Sequence, residues 1–249
     1  MSAIYNFTEQ QQEWSRPPVD DYGYVPADEM FQMPDAQLRH LILQAGRVRY
    51  SGWRNHRNLW RDRLGLDTTS GKRILDFGCG IGLEALQFAP RNEVIVADIV
   101  PESVLLAERV ARIFGYEVKT AQIAELAPFM EIEPVDIFYC NGVLHHIPYA
   151  EEVLRWAAGI SHEIRLMLYS DRGWAKYVGS PVPPSTLDVR DHPDFEKFVR
   201  AFDQVGTYAD WYSAEKLVHR FGSFLHLKTF DYITNDDRYC VAIMEPRLQ

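Results

Sequence analysis

The sequence has little cysteine and no long apolar run. Its 249 residues include three cysteines, and none belongs to a Cys-x-x-Cys pair or to a Cys/His set with zinc spacing, so neither a disulfide framework nor a metal site is indicated. No stretch approaches the roughly 18 apolar residues of a membrane span, and the first residues lack the apolar segment of a signal peptide. We therefore expect a cytoplasmic protein without a membrane partner.

Positive charge is scarce and unevenly placed. The chain has 26 basic and 35 acidic residues, a formal net charge of −9, which disfavours nucleic acid as a partner because phosphate backbones attract cationic surfaces. Residues 37–73, however, hold nine basic and two acidic residues, which makes this segment +7 and the remainder −16. The basic segment therefore has an electrostatic character of its own.

The chain before residue 71 shows no strand pattern. Four prolines among the first 34 residues prevent a long helix, so a loose arm is expected there. Apolar residues then recur at helical spacing from Asp35 and again from Trp53 to Leu64, which predicts two helices.

After residue 71, short apolar runs alternate with amphipathic helical patterns. Such alternation predicts a parallel sheet with helices on both faces. The strand candidates are 74–77, 93–97, 116–120, 135–140 and 164–169, and the helical patterns are 83–88, 102–114 and 150–160. The alternation breaks over 171–212. A helical pattern at 213–221 then precedes two strand-like runs, 224–232 and 238–244, which predict an antiparallel hairpin.

The segment Asp76-Phe-Gly-Cys-Gly-Ile-Gly82 joins the first strand candidate to a helical pattern. Glycines at such a turn let the backbone approach a ligand at a helix N-terminus. A nicotinamide fingerprint would require glycine where Leu83 stands, and it would give Asp76 no role because a carboxylate repels a pyrophosphate. Asp76 instead suits a ligand with a cationic amino group.

This Asp-x-Gly-x-Gly-x-Gly pattern resembles the first motif of class I S-adenosylmethionine (SAM) dependent methyltransferases, in particular the small-molecule enzymes of types 11, 12 and 25. The resemblance covers residues 71–170 well and 213–249 by pattern. It implies an α/β fold: a Rossmann-like, doubly wound sheet of seven strands in the order 3-2-1-4-5-7-6, whose last strand pair is antiparallel. It also implies SAM as cofactor and S-adenosylhomocysteine (SAH) as product.

The resemblance further implies the cofactor contacts. Asp98, at the end of the second strand, would bind the ribose hydroxyls, with Ile99 against the adenine. The family's usual acid after the third strand is replaced by Gln122, whose amide oxygen could still accept a hydrogen bond from the adenine amino group. The residues implied to bind SAM are Asp76, Gly78, Cys79, Gly80, Gly82, Asp98, Ile99, Gln122, Ile123, Asn141 and Gly142.

The fourth strand continues into Asn141-Gly-Val-Leu-His-His-Ile-Pro148, which is similar to the Val-Leu-His-His-Ile-Pro form of the same family. Methyl transfer to a hydroxyl or an ammonium group needs a proton acceptor, and an imidazole can serve near neutral pH. His146 is the candidate general base and His145 is its rival. The alternative is that one of the pair only packs or hydrogen-bonds within the loop.

Substrate contacts are expected outside the resemblance, because loops and caps above the strand ends confer specificity. Tyr169, Trp174 and Tyr177 are the candidates near the end of the fifth strand. Arg47 and Arg54 of the basic segment could bind a carboxylate or phosphate on the acceptor. The alternative is that these arginines pair with acidic residues elsewhere in the chain.

These patterns predict an arm and helical cap over residues 1–70, acting as a substrate lid, and a SAM-binding domain over 71–249 with a substrate-side insertion at 171–212. The predicted reaction is in-line methyl transfer to an oxygen or nitrogen of a small anionic or aromatic metabolite, without a metal. Two alternatives stay open: methylation of RNA or a peptide docked on the Arg-rich helices, and SAM binding without methyl transfer. A homodimer also stays open.

Overall fold

The computed structural model of the chain describes residues 7–17, 19, 23, 25–51, 59–125, 129–179, 193–194, 196–197, 208–235 and 237–247. Seven strands form one sheet: β1 (Arg73–Phe77), β2 (Glu93–Asp98), β3 (Lys119–Gln122), β4 (Val135–Asn141), β5 (Ser161–Tyr169), β6 (Leu225–Tyr232) and β7 (Tyr239–Pro246). Their order is β3-β2-β1-β4-β5-β7-β6. The predicted fold class and strand order are therefore confirmed.

Strand direction divides the sheet into two parts. The pairs β1–β2, β1–β4, β2–β3 and β4–β5 are parallel, whereas β7 runs antiparallel between β5 and β6. The carboxyl ends of the five parallel strands consequently meet at one edge of the sheet. Open α/β sheets bind their ligands at that edge.

Helices cover both faces of the sheet because alternate strand side chains point to opposite sides. They are α1 (Phe7–Trp14), α2 (Ala27–Gln32), α3 (Asp35–Ser51), α4 (Leu59–Leu64), α5 (Leu83–Phe88), α6 (Pro101–Ile113), α7 (Ala150–Ile160), α8 (Asp171–Tyr177) and α9 (Ala214–Phe221). α7 and α9 pack in one apolar cluster with Leu75, and α4, α5 and α8 pack in another with Ile74. None of these helices has the length and apolar character needed to cross a bilayer.

The first 34 residues contain two short helices, so the prediction of a loose arm fails for the part that the structure describes. α1 has eight residues and α2 has six, lengths that the neighbouring prolines permit. α2 and α3 pack against α6 in an apolar cluster that includes Met30, Leu38 and Leu106. Apolar burial therefore holds much of this segment against the sheet domain.

A helix follows β5 directly, where the sequence indicated only an irregular insertion. The Ser170 hydroxyl caps α8 by accepting from the Gly173 amide at 3.0 Å. Residues 208–212 return to this point, where the Tyr212 amide donates to the Tyr169 carbonyl at 2.9 Å. Most of the stretch 180–207 lies outside the described residues.

Candidate functional site

The loop after β1 has a backbone conformation that its glycines allow. Gly78, Gly80 and Gly82 have φ angles of 82°, 50° and 77°, in the left-handed region that side chains rarely adopt. A Cβ on Gly78 would lie 2.3 Å from Cγ2 of Val143. Gly82 does not line the cavity next to this loop. A Cβ on Gly82 would lie 3.0 Å from the Cβ of Ala107 on α6, so glycine allows the close approach of that helix, and its predicted cofactor contact stays a prediction.

This cavity, of about 340 Å³, lies at the carboxyl ends of β1, β2 and β4. Its position and size suit a small-molecule ligand. Most of the residues predicted to act at the site line it, including both histidines. They are Gly78, Cys79, Gly80, Asp98, Ile99, Ile123, Asn141, Gly142, His145, His146 and Tyr169.

Asp98 ends β2, and its carboxylate connects two loops. Oδ2 accepts from the Gly80 amide at 2.9 Å, and Oδ1 accepts from the Val100 amide at 3.0 Å. The pKa of the Asp98 carboxyl is raised above its usual value because the effect of burial exceeds the opposing effect of the hydrogen bonds from these amides. The backbone amide of Ile99 also contributes a hydrogen bond to this carboxylate. The two oxygens have about four acceptor sites in total, so the carboxylate keeps accepting capacity for a ligand.

Asp76 is buried and does not itself line the cavity. Its exposed fraction is 2%, and within the described part of the chain its Oδ2 has no hydrogen-bond partner. Burial, followed by the charges of Glu84 and Asp98, raises the pKa of Asp76 well above its usual value. A cationic group placed nearby would satisfy this carboxyl oxygen and offset the cost of its burial.

Sequence reasoning missed Glu84, which lines the cavity from the first turn of α5. Its carboxylate accepts from Arg49 at 3.0 and 3.1 Å, from the Tyr50 hydroxyl at 3.2 Å and from Asn141 Nδ2 at 2.9 Å. The Arg49 and Glu84 side chains are 11% and 6% exposed, so this is a buried ion pair between α3 and α5. The only sequence signal was an acid in the first turn of a helix, which ordinarily just complements the helix dipole.

His145 and His146 lie in the 3-10 turn after β4 and are 1% and 4% exposed. Nδ1 of His146 lies 3.1 Å from the Tyr208 carbonyl oxygen, and Nδ1 of His145 accepts from the Tyr169 amide at 3.3 Å. Burial lowers the pKa of His145 well below its usual value and that of His146 to about 4. Both imidazoles are therefore neutral near pH 7.

Residues 208–212 hold the histidine turn in position. The Asp210 amide donates to the His145 carbonyl at 2.8 Å. The fully buried Asp210 carboxylate forms ion pairs with Lys216 and, at 2.7 Å, with Arg220, both on α9. Two charge-assisted hydrogen bonds to one carboxylate fix its position, so the backbone beside the histidines is anchored to α9.

α1 contributes to the cavity wall, which the sequence did not indicate. Gln10 and Trp14 line the cavity, and the Trp14 ring lies 5.0 Å from the His146 ring. Gln11 Nε2 donates to the Ile99 carbonyl at 2.7 Å. The helix therefore covers the cavity between the end of β2 and the histidine turn.

Two predicted site residues lie outside the cavity wall and make structural contacts, and the predicted contact of the Gln122 amide oxygen with adenine stays a prediction. Gln122 donates its amide hydrogens to the carbonyls of Asp98 and Ile99, at 2.8 and 2.9 Å, and does not line the cavity. It therefore stabilises the loop after β2. Trp174 is 1% exposed and packs against Trp211 with ring centroids 4.3 Å apart, so it belongs to the core.

Two further substrate candidates, Tyr177 and Arg47, also lie away from the cavity. Tyr177 is exposed at the end of α8, with its ring near Lys176 and Arg238. Arg47 is exposed on α3 and is not part of the cavity wall. Arg54 lies outside the described residues.

The described basic residues of 37–73 mostly pair with acidic residues of the protein itself. Arg39 instead lies over the Phe114 ring, 4.4 Å from its centroid. The ion pairs are Arg49–Glu84, Arg61–Asp67, Arg63–Asp231, Lys72–Asp136, Arg73–Glu93 and Arg73–Glu133. For these residues the structure supports internal pairing over ligand binding.

Comparison with known sequences identifies related proteins. A family model described as a methyltransferase domain matches residues 68–174. The 27-O-demethylrifamycin SV methyltransferase of Amycolatopsis mediterranei (strain S699) is 31% identical over 105 residues. This alignment covers 40% of the present chain and 39% of the relative, so it spans about two fifths of the relative's length.

Solved structures share the fold over nearly the whole chain. Magnesium protoporphyrin IX methyltransferase (ChlM) of Synechocystis PCC 6803 with bound SAH has a TM-score of 0.58 and 15% identity, covering 98% of this chain and 100% of that chain. N-methyltransferase NodS of Bradyrhizobium japonicum WM9 in complex with SAH has a TM-score of 0.53 and 13% identity, covering 97% and 98%. At such identities the likeness concerns the fold alone. Residues 68–174 thus match a methyltransferase domain, and the chain has the fold of these methyltransferase structures.

Proposed function

We propose that the protein transfers a methyl group from SAM to an oxygen or nitrogen of a small-molecule acceptor, with His146 as general base. One observation carries the proposal. A single cavity contains the glycine loop and Asp98, which suit a nucleoside, together with the buried His146 imidazole, which is unprotonated near pH 7 and so has a lone pair for a proton.

The residues around the cavity fit SAM. Asp98 has lone pairs for the ribose hydroxyls, and Gly80 borders open space where a side chain would project. Glu84 in the cavity wall offers a carboxylate to the ammonium group of the methionine part, and the buried Asp76, which interacts electrostatically with Glu84 from outside the wall, adds an unpartnered carboxyl oxygen.

When bound, SAM supplies an activated methyl group on a sulfonium sulfur, so the protein has mainly to orient the acceptor and remove its proton. The Tyr208 carbonyl can only accept a hydrogen bond, so Nδ1 of His146 carries the proton and Nε2 keeps its lone pair. Nε2 of His146 would take the proton of an acceptor hydroxyl as that oxygen receives the methyl group. The His146 ring would then carry the positive charge, with its Nδ1–H still bonded to the Tyr208 carbonyl.

The cavity wall supports a neutral, partly planar acceptor rather than an anionic one. Arg49 is neutralised by Glu84. Six aromatic side chains other than the histidines contribute to the wall: Trp14, Phe77, Phe129, Tyr149, Tyr169 and Tyr239. Such rings favour apolar and planar ligands. By their names, the rifamycin and protoporphyrin enzymes above also act on small molecules.

The direct test is incubation with SAM labelled in its methyl group and a small-molecule extract, followed by mass spectrometry. We expect SAH and a product heavier than its precursor by one CH₂. Tight SAM binding with no SAH formed would indicate a SAM-binding protein without transfer. Label found in RNA or a peptide would indicate the macromolecular alternative, and binding of RNA that weakens steeply with salt would support it.

The substitution Asp98→Asn is expected to weaken SAH binding about 10- to 100-fold, because it removes a charged acceptor and turns an N–H group toward a backbone amide donor. Isothermal titration calorimetry measures the effect. Asp136→Asn is the matched control. Asp136 accepts a hydrogen bond from the Arg73 amide at the other end of the parallel strands, so the affinity of the Asp136→Asn protein for SAH should equal that of the parent. Equal affinities for all three proteins would exclude Asp98 from the cofactor site.

Turnover is expected to keep its full rate from about pH 8 down to about pH 6. Burial lowers the pKa of His146 to about 4 from the ordinary 6.5, so the base is already unprotonated over this range and the rate should fall only as the pH approaches 4. The measurement is kcat/KM for the acceptor at saturating SAM, with circular dichroism to verify folding. A half-maximal rate near pH 6.5 would show that the working base is solvent-exposed.

A further inference from the structure

We propose, on the basis of the proposed function, that His145 and His146 form a fixed hydrogen-bond donor and acceptor pair. We infer that the methyl acceptor is a hydroxyl compound with a second oxygen, a carbonyl or another hydroxyl, on the neighbouring carbon. Nothing in the motif itself requires this, because two adjacent histidines could each have either tautomer.

The tautomer of His145 is opposite to that of His146. A backbone N–H can only donate, and the Tyr169 amide donates to Nδ1 of His145 at 3.3 Å. That nitrogen must therefore have its lone pair free, so the proton of the neutral ring lies on Nε2. His146 has its proton on Nδ1, toward the Tyr208 carbonyl, and its lone pair on Nε2.

Neither histidine ring can readily change its tautomer, because the backbone groups that hydrogen-bond the two Nδ1 atoms are held in place by the surrounding structure. The Tyr169 amide belongs to β5, which pairs with β4 and β7. The Tyr208 carbonyl lies two residues before Asp210, whose buried carboxylate is paired with Lys216 and Arg220. The surrounding backbone therefore fixes an N–H donor on Nε2 of His145 and a lone pair on Nε2 of His146.

The two rings are close enough to contact one small ligand together. Their centroids are 4.3 Å apart, and both side chains line the cavity. In the described residues neither Nε2 has a hydrogen-bond partner. Both rings also contact the Tyr169 ring, with centroid distances of 3.8 Å for His145 and 5.3 Å for His146, which limits their rotation.

This arrangement selects among hydroxyl compounds. A lone hydroxyl bound to Nε2 of His146 offers no acceptor to the Nε2–H of His145 in the same cavity, and an unmatched donor in a ligand site is unfavourable. A neighbouring carbonyl or hydroxyl oxygen accepts from that N–H while the first hydroxyl gives its proton to His146. The pair therefore favours two oxygens on adjacent carbons.

The test compares catechol with resorcinol, which has the same atoms but places its hydroxyls one carbon farther apart. With the full-length protein saturated with SAH, we expect catechol to bind roughly 5- to 100-fold more tightly, the effect of leaving one buried donor unpaired. Calorimetry or ligand-observed NMR measures both dissociation constants. Equal affinities, tighter resorcinol binding, or no catechol binding at millimolar concentration would overturn the inference.

Two variants separate the donor from general packing. His145→Asn keeps an oxygen for the Tyr169 amide but has no group at the Nε2 position, so catechol should lose its advantage. His145→Gln places an amide N–H near that position and should restore part of it. His219→Asn, on the exposed face of α9, is the control and should change nothing. Preference for catechol that survives in His145→Asn would contradict the proposed role.

Nitrogen-15 NMR of histidine-labelled protein tests the tautomers without any acceptor or turnover. We expect the proton on Nε2 of His145 and on Nδ1 of His146, and the same tautomer in both rings would overturn the inference. Failure of SAH to bind would instead contradict the proposed function, whatever the tautomers are. The two proposals can thus fail separately.

Discussion

Replacing His146 by asparagine is expected to lower kcat by about two to four orders of magnitude, the usual contribution of a general base. The asparagine amide nitrogen lies near the position of Nδ1, so the hydrogen bond to the Tyr208 carbonyl can persist while Nε2 is removed. The dissociation constant for SAH should stay within about twofold of the parent value, because no cofactor contact is changed.

Single-turnover kinetics with saturating SAM would measure this loss. His219→Asn provides the matched control, since that histidine is exposed on α9. His146→Gln is a useful second variant, because it places a polar group near Nε2 but loses the Nδ1–H donor. Full activity in His146→Asn would assign the proton transfer to another group.

Replacing Arg49 by methionine is expected to lower the free energy of unfolding by about 3–5 kcal/mol. The reason is that Glu84 would keep the Tyr50 and Asn141 hydrogen bonds but lose its cation in a buried setting, and an unpaired buried charge is strongly destabilising. Urea denaturation followed by tryptophan fluorescence would measure the change.

The double variant Arg49→Met/Glu84→Gln should recover most of that stability, because it removes both charges. Lys228→Met is the control, since it breaks the exposed pair with Glu245, in which the side chains are 45% and 40% exposed, and should cost no more than about 1 kcal/mol. A similar loss in Arg49→Met and Lys228→Met would mean that Glu84 is solvated or protonated in the folded protein.

Helices with strong local signals were predicted to the residue. α5 and α7 have the predicted bounds 83–88 and 150–160, because apolar periodicity and the flanking turns act locally. β3 was predicted at 116–120 and lies at Lys119–Gln122. This edge strand is short, and its ends depend on pairing with β2, which local sequence does not encode.

α8 was missed for a related reason. Asp171–Tyr177 is a seven-residue helix with glycine at 173 and too few apolar residues to show a period. Its formation depends on the Ser170 cap and on packing of Trp174 against Trp211. Trp174 therefore became a core residue, although its position just after a strand end had suggested a pocket.

The sequence by itself determined the α/β class and the place of the glycine loop, because periodicity and glycine conformation are properties of short segments. The strand order followed from the family resemblance and not from these local patterns. Only the tertiary structure decided which acids and histidines meet. Glu84 is neutralised by Arg49, 35 residues earlier, and His146 is oriented by the Tyr208 carbonyl, 62 residues later. Charge and tautomer depend on partners brought close by packing, and that dependence is non-local.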